Sequence, residues 1–271
     1  MVIVSRVLGK AKVLNRAYLN PKSGVTYRSG ISDIDPADLS VIASLISNNA
    51  EITNTTQTVY VDYNGAHYKV ATGNTVTINV SSQDYDFQII GFNHDELTTA
   101  TAYGTATATG KAGITFQMVD CLDTKYQMNS SNTNAGGWDS CAFRTTLQGT
   151  IKNTISSAWT GIMKKVNKKT SAGNKSTTIN TASDDLFLLS EIEIFGSTTY
   201  SFAGEGDVYA YWSANNTASA RIKNVNGSAN SWWERSPWSN SSNGFCIVYS
   251  FGDTGYNNAN NSFGVAFGFC V

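Results

Sequence analysis

The spacing of apolar positions changes several times along the chain, and each change marks an element. Residues 1–35 alternate short apolar runs with turn signals (Asn20-Pro21-Lys22-Ser23-Gly24, Ser29-Gly30) and read as an irregular or strand-like arm. Asp35-Pro36-Ala37-Asp38 then opens a helix. Asp35 is the N-cap, Pro36 takes the first helical position, and Leu39, Ile42, Leu45 and Ile46 form one stripe. The helix is expected to stop near Ser47-Asn48-Asn49. From Glu51 to Val80 the period becomes two. Residues 58–63 and 66–70 flank Asn64-Gly65 and predict a hairpin on a two-residue turn, and Thr75 to Val80 predicts a further strand.

A domain boundary is placed near Ser81 to Asp86. Strands are expected at 85–92 and 113–119, separated by a Thr/Ala-rich loop from Thr98 to Gly110. Phe143, Leu147, Ile151 and Ile155 lie at helical spacing. Trp159, Ile162, Met163 and Val166 suggest a second helix that ends in Lys164, Lys165, Lys168 and Lys169, read as a solvated helix end. The run Asp185 to Ser190 predicts a buried strand, and Glu191 to Phe195 a short turn or helix.

The C-terminal third differs. Ser231-Trp232-Trp233-Glu234-Arg235-Ser236-Pro237-Trp238 places bulky anchors that need a sizeable core. Beyond it, Phe245, Ile247, Tyr249, Phe251 and Asp253 alternate with Cys246, Val248, Ser250 and Gly252. The small set suits the core, and the large set, among Asn and Ser, suits a contact surface. The alternative is a strand buried on both faces.

Composition narrows the function classes. Charged residues make up 14% of the 271 residues and the formal net charge is -1, which argues against nucleic-acid binding through a basic patch. Polarity comes from Asn, Ser, Thr, Gly and Tyr, a palette of exposed β-rich surfaces and antibody loops. The first 14 residues are apolar but broken by Arg6, Lys10 and Lys12, so no signal peptide is read, and no run is long enough to insert in a membrane. Cys121, Cys141, Cys246 and Cys270 show no metal spacing and read as buried thiols. A surface-like composition without an export signal suits a virus particle assembled in a cytoplasm and released by lysis.

No catalytic constellation emerges. His67 and His94 fall in different units, and His94 reads as a hydrogen-bonded turn residue. There is no phosphate loop and no nucleophile elbow. Asp184, Asp185, Glu191 and Glu193 match no ligand loop and read as caps or solvated carboxylates, while Glu234 and Arg235 read as structural. What remains is the aromatic and amide surface. Trp238, Tyr249, Phe251 and Tyr256 suit stacking on sugar rings or filling pockets of a protein partner, with Asn240, Asn243, Asn257, Asn258 and Asn260 hydrogen bonding around them.

Several separated motifs occur in a recognisable order. They are Gly137-Trp138 with Arg144, Phe187-Leu188-Leu189-Ser190 with Glu193, Gly206 with Tyr209 and Trp212, Trp232 to Pro237, Gly244-Phe245-Cys246, and Gly264 to Cys270. Together they resemble the DUF6273-type domain, found in phages and Gram-positive bacteria, over about residues 86–271. The resemblance implies a C-type-lectin-like fold. The C-terminal third also resembles the variable region of proteins diversified by retroelements, in which a Trp-rich framework is fixed while Asn codons drift. Formylglycine-generating enzymes share that fold, but their paired reactive cysteines have no counterpart here, and the Glu-Pro-Asn motif of calcium-dependent sugar binding is absent.

The expectation is an α+β chain. A small N-terminal β-rich unit with one helix (1–85) serves docking or oligomerisation, and a C-type-lectin-like domain (86–271) displays a variable surface over about 225–263. By resemblance it is a phage receptor-binding protein at the tail tip or particle surface that recognises a host surface protein or glycan. Residues 1–85 would meet other virion proteins, and the chain would be a homo-oligomer, with a trimer the form implied. It is expected to use no cofactor or metal and to perform no catalysis. The alternative is a capsid or tail decoration protein without specific receptor binding.

Overall fold

The computed structural model describes residues 14–271; the first part of the expected N-terminal arm lies outside the described residues. The fold is mixed α+β, mostly strands with few helices. A four-stranded sheet runs in the order Arg16–Tyr18, Thr58–Tyr63, Ala66–Ala71, Arg28–Ser29, and the helix Pro36–Ser47 packs beside it. Local chemistry sets both elements as expected. The Asp35 carboxylate accepts from the Asp38 N–H at 3.0 Å, and Asn64 and Gly65 take the left-handed φ values of 51° and 77° that a tight two-residue hairpin turn requires.

A five-stranded antiparallel sheet carries the main core, in the order Leu186–Phe187, Gly268–Cys270, Ile114–Met118, Gln83–Phe92, Thr75–Val80. The Gly268–Cys270 strand lies second in this order, which explains the apolar run Gly264 to Val271, buried throughout. Phe116 and Phe269 stack with centroids 5.1 Å apart, and Phe87 packs on Phe267 and Phe269 at 5.3 and 5.4 Å.

Two expectations are corrected here. The boundary between residues 85 and 86 falls inside the strand Gln83–Phe92, which forms a hairpin with Thr75–Val80. The N-terminal helix also shares the core of the rest. The Asn93 amide donates to the Ile46 and Ile52 carbonyls at 3.0 and 2.9 Å, and a Cβ on Gly113 would collide with the Ala43 carbonyl at 1.9 Å. Second, the helix read from Trp159 to the lysines stops at Thr160, and Val166–Ser171 is a strand paired with Ile179–Asp184. Val166, Lys168 and Thr170 alternate inward, so Lys168 is buried rather than solvated; Asp95 and Glu193 supply the charges that permit it.

The four cysteines are free and buried, as the spacing indicated. Among the described residues, no helix is long and apolar enough to cross a membrane, and no group of His, Cys, Asp or Glu is arranged to hold a metal.

Candidate binding face

The region expected to carry recognition is a three-stranded antiparallel sheet, Trp232–Pro237, Gly244–Val248 and Thr254–Asn258. Its first strand is buried at every position, including Glu234, Arg235 and Ser236. The Trp pair behaves as an anchor. The Trp232 indole N–H donates to the Arg221 carbonyl at 3.0 Å and that of Trp233 to the Tyr126 carbonyl at 2.7 Å, so neither buried donor is left open.

Arg235 is the hub beneath the sheet. Its guanidinium pairs with both oxygens of Glu193 and donates to the carbonyls of Lys169, Leu188 and Glu205. Glu193 also closes the capping box of the helix Glu191–Phe195 with Ser190. Burial acts to raise the Glu193 carboxyl, but the cations of Arg235 and Lys168 outweigh it and hold the group below its usual range. Glu205, accepting from the Ser171 N–H and the Ser236 hydroxyl, is pushed by burial up to about 7. Among the described residues Glu234 meets no donor at either oxygen, and burial, reinforced by Glu191 and Glu205, lifts it well above the usual range. Glu234 and Arg235 are therefore structural, as read, but they do not pair with each other.

The central strand corrects the main surface expectation. Phe245 and Ile247 are fully buried, as are Cys246 and Val248, so the strand is covered on both faces. The reason lies in its central position. It pairs along both edges, with Trp232–Pro237 and Thr254–Asn258, and Phe245, Ile247 and Val248 from its two faces all join the hydrophobic core. Of the remaining candidates, Asn240, Phe251, Asp253, Asn258 and Asn260 are exposed, while Trp238, Asn243, Tyr249, Tyr256 and Asn257 are half-buried.

The aromatic candidates fall into two groups. Trp238 and Tyr256 stack with centroids 3.6 Å apart and planes 11° from parallel, and Tyr200 meets Tyr256 edge-on at 5.0 Å. Tyr249 and Phe251 stack at 5.2 Å, with Phe251 58% exposed. The register separates them. Tyr256 lies opposite Cys246, whereas Gly255, whose missing Cβ leaves room for the Tyr249 ring, lies opposite Ile247. Opposed residues in an antiparallel pair share a face, so the two aromatic groups occupy opposite sides of the sheet.

Sequence reasoning missed three supports of the first group. Asn134, fully buried, donates to the carbonyls of Ser241 and Gly244 at 2.9 and 2.7 Å, clamping the loop that carries Asn240 and Asn243. Glu191 accepts from the Tyr200 and Ser201 N–H groups and from the Thr254 hydroxyl at 2.7 Å, tying the Tyr200 loop to the edge strand. Tyr200 itself sits in a Ser/Thr-rich stretch whose pattern carries no period. From Trp238 to Phe263 the sole charged residue is Asp253, so the face is nearly neutral.

Comparison with known proteins places residues 110–271 in a match to the family model described as Domain of unknown function (DUF6273). No curated protein and no solved structure matches the chain.

Proposed function

The chain belongs to the DUF6273 family, and from that premise we propose that it is a phage virion protein that recognises a host surface protein or glycan. The reading takes the domain as C-type-lectin-like, displaying a diversified, non-covalent binding face. One observation carries it. Exposed, uncharged side chains (Asn240, Asn258, Asn260) are concentrated on loops and a sheet edge, while the strands beneath are buried and locked by Arg235 and the Trp pair. Fixed framework and variable loops are the division of labour a diversified binder needs, because substitutions at the exposed positions leave the core untouched.

The half-buried stack of Trp238 and Tyr256, with the neighbouring amides, offers area and hydrogen bonding at low entropic cost. On this reading residues 1–85 contact other virion proteins, and the assembled form is a homo-oligomer. Sequencing the coding region for residues 225–271 across a population of the source virus tests the proposal. The expected result is substitution confined to positions such as 240, 251, 253, 258 and 260, with Trp232, Trp233 and Gly264 fixed. An invariant region would favour a decoration protein whose amide-rich surface only solvates the particle.

A further inference from the structure

We propose that Lys168 and Asp95 are joined by an intramolecular amide bond, formed with Glu193 as the proton carrier. Asp95 lies just beyond the strand Gln83–Phe92, and Lys168 lies on Val166–Ser171. Their backbones run side by side, with Leu97 bridged to Val166 and the Asn167 N–H donating to the Glu96 carbonyl at 2.9 Å. The Lys168 Nζ is 2.6 Å from Asp95 Oδ1, 2.8 Å from Glu193 Oε1 and 3.0 Å from the Tyr209 hydroxyl. All three charged side chains are buried, with exposures of 1%, 2% and 3% for Lys168, Asp95 and Glu193. The Phe187 ring covers Nζ at 4.2 Å.

Each group has a role in a condensation. One ammonium proton passes to Asp95 Oδ1 across the 2.6 Å contact, and the freed amine attacks Cγ of the resulting neutral acid. Charge that develops on Asp95 Oδ2 meets two donors already in place, the Thr115 hydroxyl at 2.7 Å and the Tyr209 hydroxyl at 2.9 Å. Oδ1, the oxygen nearest Nζ, leaves as water with that proton and a second one that Glu193 relays from nitrogen. The C–N bond forms, the C–Oδ1 bond breaks, one water is released, and nothing is oxidised or reduced. A cleft of about 90 Å³, lined by Asp95, Lys168, Glu193 and Gly206 among others, adjoins the groups and receives the water.

An ionised carboxylate is a slow acyl acceptor in water. Two features offset this here. The groups are held at contact distance in a desolvated site, and a single turnover in the life of the protein suffices. The product also removes two buried charges whose desolvation is unfavourable. Glu193 keeps Arg235 as its counter-ion, so the site stays neutral after the reaction. The bond would cross-link residues 95 and 168 and hold the two strand segments together against unfolding.

The test is the mass of the denatured full chain, wild type against Lys168→Arg, which keeps the cation but cannot form the amide. The expected result is a wild type lighter than its own sequence by one water, a Lys168→Arg chain without that deficit, and a branched proteolytic peptide joining the segments that carry Asp95 and Lys168. A wild type at full mass, with the Lys168 peptide recovered in linear form, overturns the proposal. The wild-type measurement decides the question even where the variant does not fold.

Discussion

Trp238 and Tyr256 lie face to face, centroids 3.6 Å apart, although one precedes the central strand of the three-stranded sheet and the other sits on its edge strand. Gly244 makes the stack possible. A Cβ at that position would come within 2.6 Å of the Asn257 carbonyl and 3.3 Å of the Trp238 ring. Gly244→Ala is expected to destabilise the protein by about 1–3 kcal/mol and to move the indole. Denaturant unfolding followed by tryptophan fluorescence checks both effects. An unchanged midpoint and emission spectrum would contradict the account of the stack.

Burial divides the candidate residues into framework and face, and substitution should expose the division. Phe245→Ala is expected to cost about 3–5 kcal/mol, because it empties a fully buried site. Asn258→Ala and Asn260→Ala, at exposed positions, are expected to stay within about 0.5 kcal/mol of wild type. Urea midpoints of the three variants are the measurement.

The Glu205 carboxyl is raised by burial from 4.5 to about 7. A raised acid favours the folded state in its protonated form. Its contribution is therefore complete below pH 4.5 and is lost as pH rises through about 7. Glu205→Gln should remove roughly 3 kcal/mol of pH dependence from that window. Unfolding free energies at pH 5 and pH 8 test this; an equal difference in wild type and variant would refute it.

Glu234 follows the same sign with a different outcome. Burial, reinforced by Glu191 and Glu205, pushes its carboxyl well above the usual range, and it meets no donor among the described residues, so a rise in pH costs the folded state more than the unfolded chain. Glu234→Gln should stabilise the protein more at pH 7 than at pH 4. Thermal melts of both proteins at the two pH values provide the check.

Elements governed by local chemistry were legible in the sequence. The Asp35-Pro36 helix start, the Asn64-Gly65 turn and the helix beginning at Glu191 each depend on a few adjacent residues, and each formed where it was expected. Elements decided by distant partners were not. The alternation from Phe245 to Asp253 fits a strand with one exposed face or with two buried ones, and only the cover over the central strand separates the cases. Lys168 looked solvated because its partners, Asp95 and Glu193, are remote in sequence. The clamp made by Asn134 was equally hidden, since a lone Asn in a polar loop gives no pattern to read.

The central claim is that the exposed amides and the Trp238–Tyr256 stack recognise a bacterial surface. The most direct measurement is binding of the labelled full chain to intact cells across a panel of Gram-positive bacteria. Wild type is compared with Tyr256→Ala combined with Asn258→Ala, after circular dichroism shows both folded. Loss of roughly 2 kcal/mol or more of binding free energy, about thirtyfold in affinity, is the predicted result. Equal binding by a folded double variant would contradict the assignment of this face.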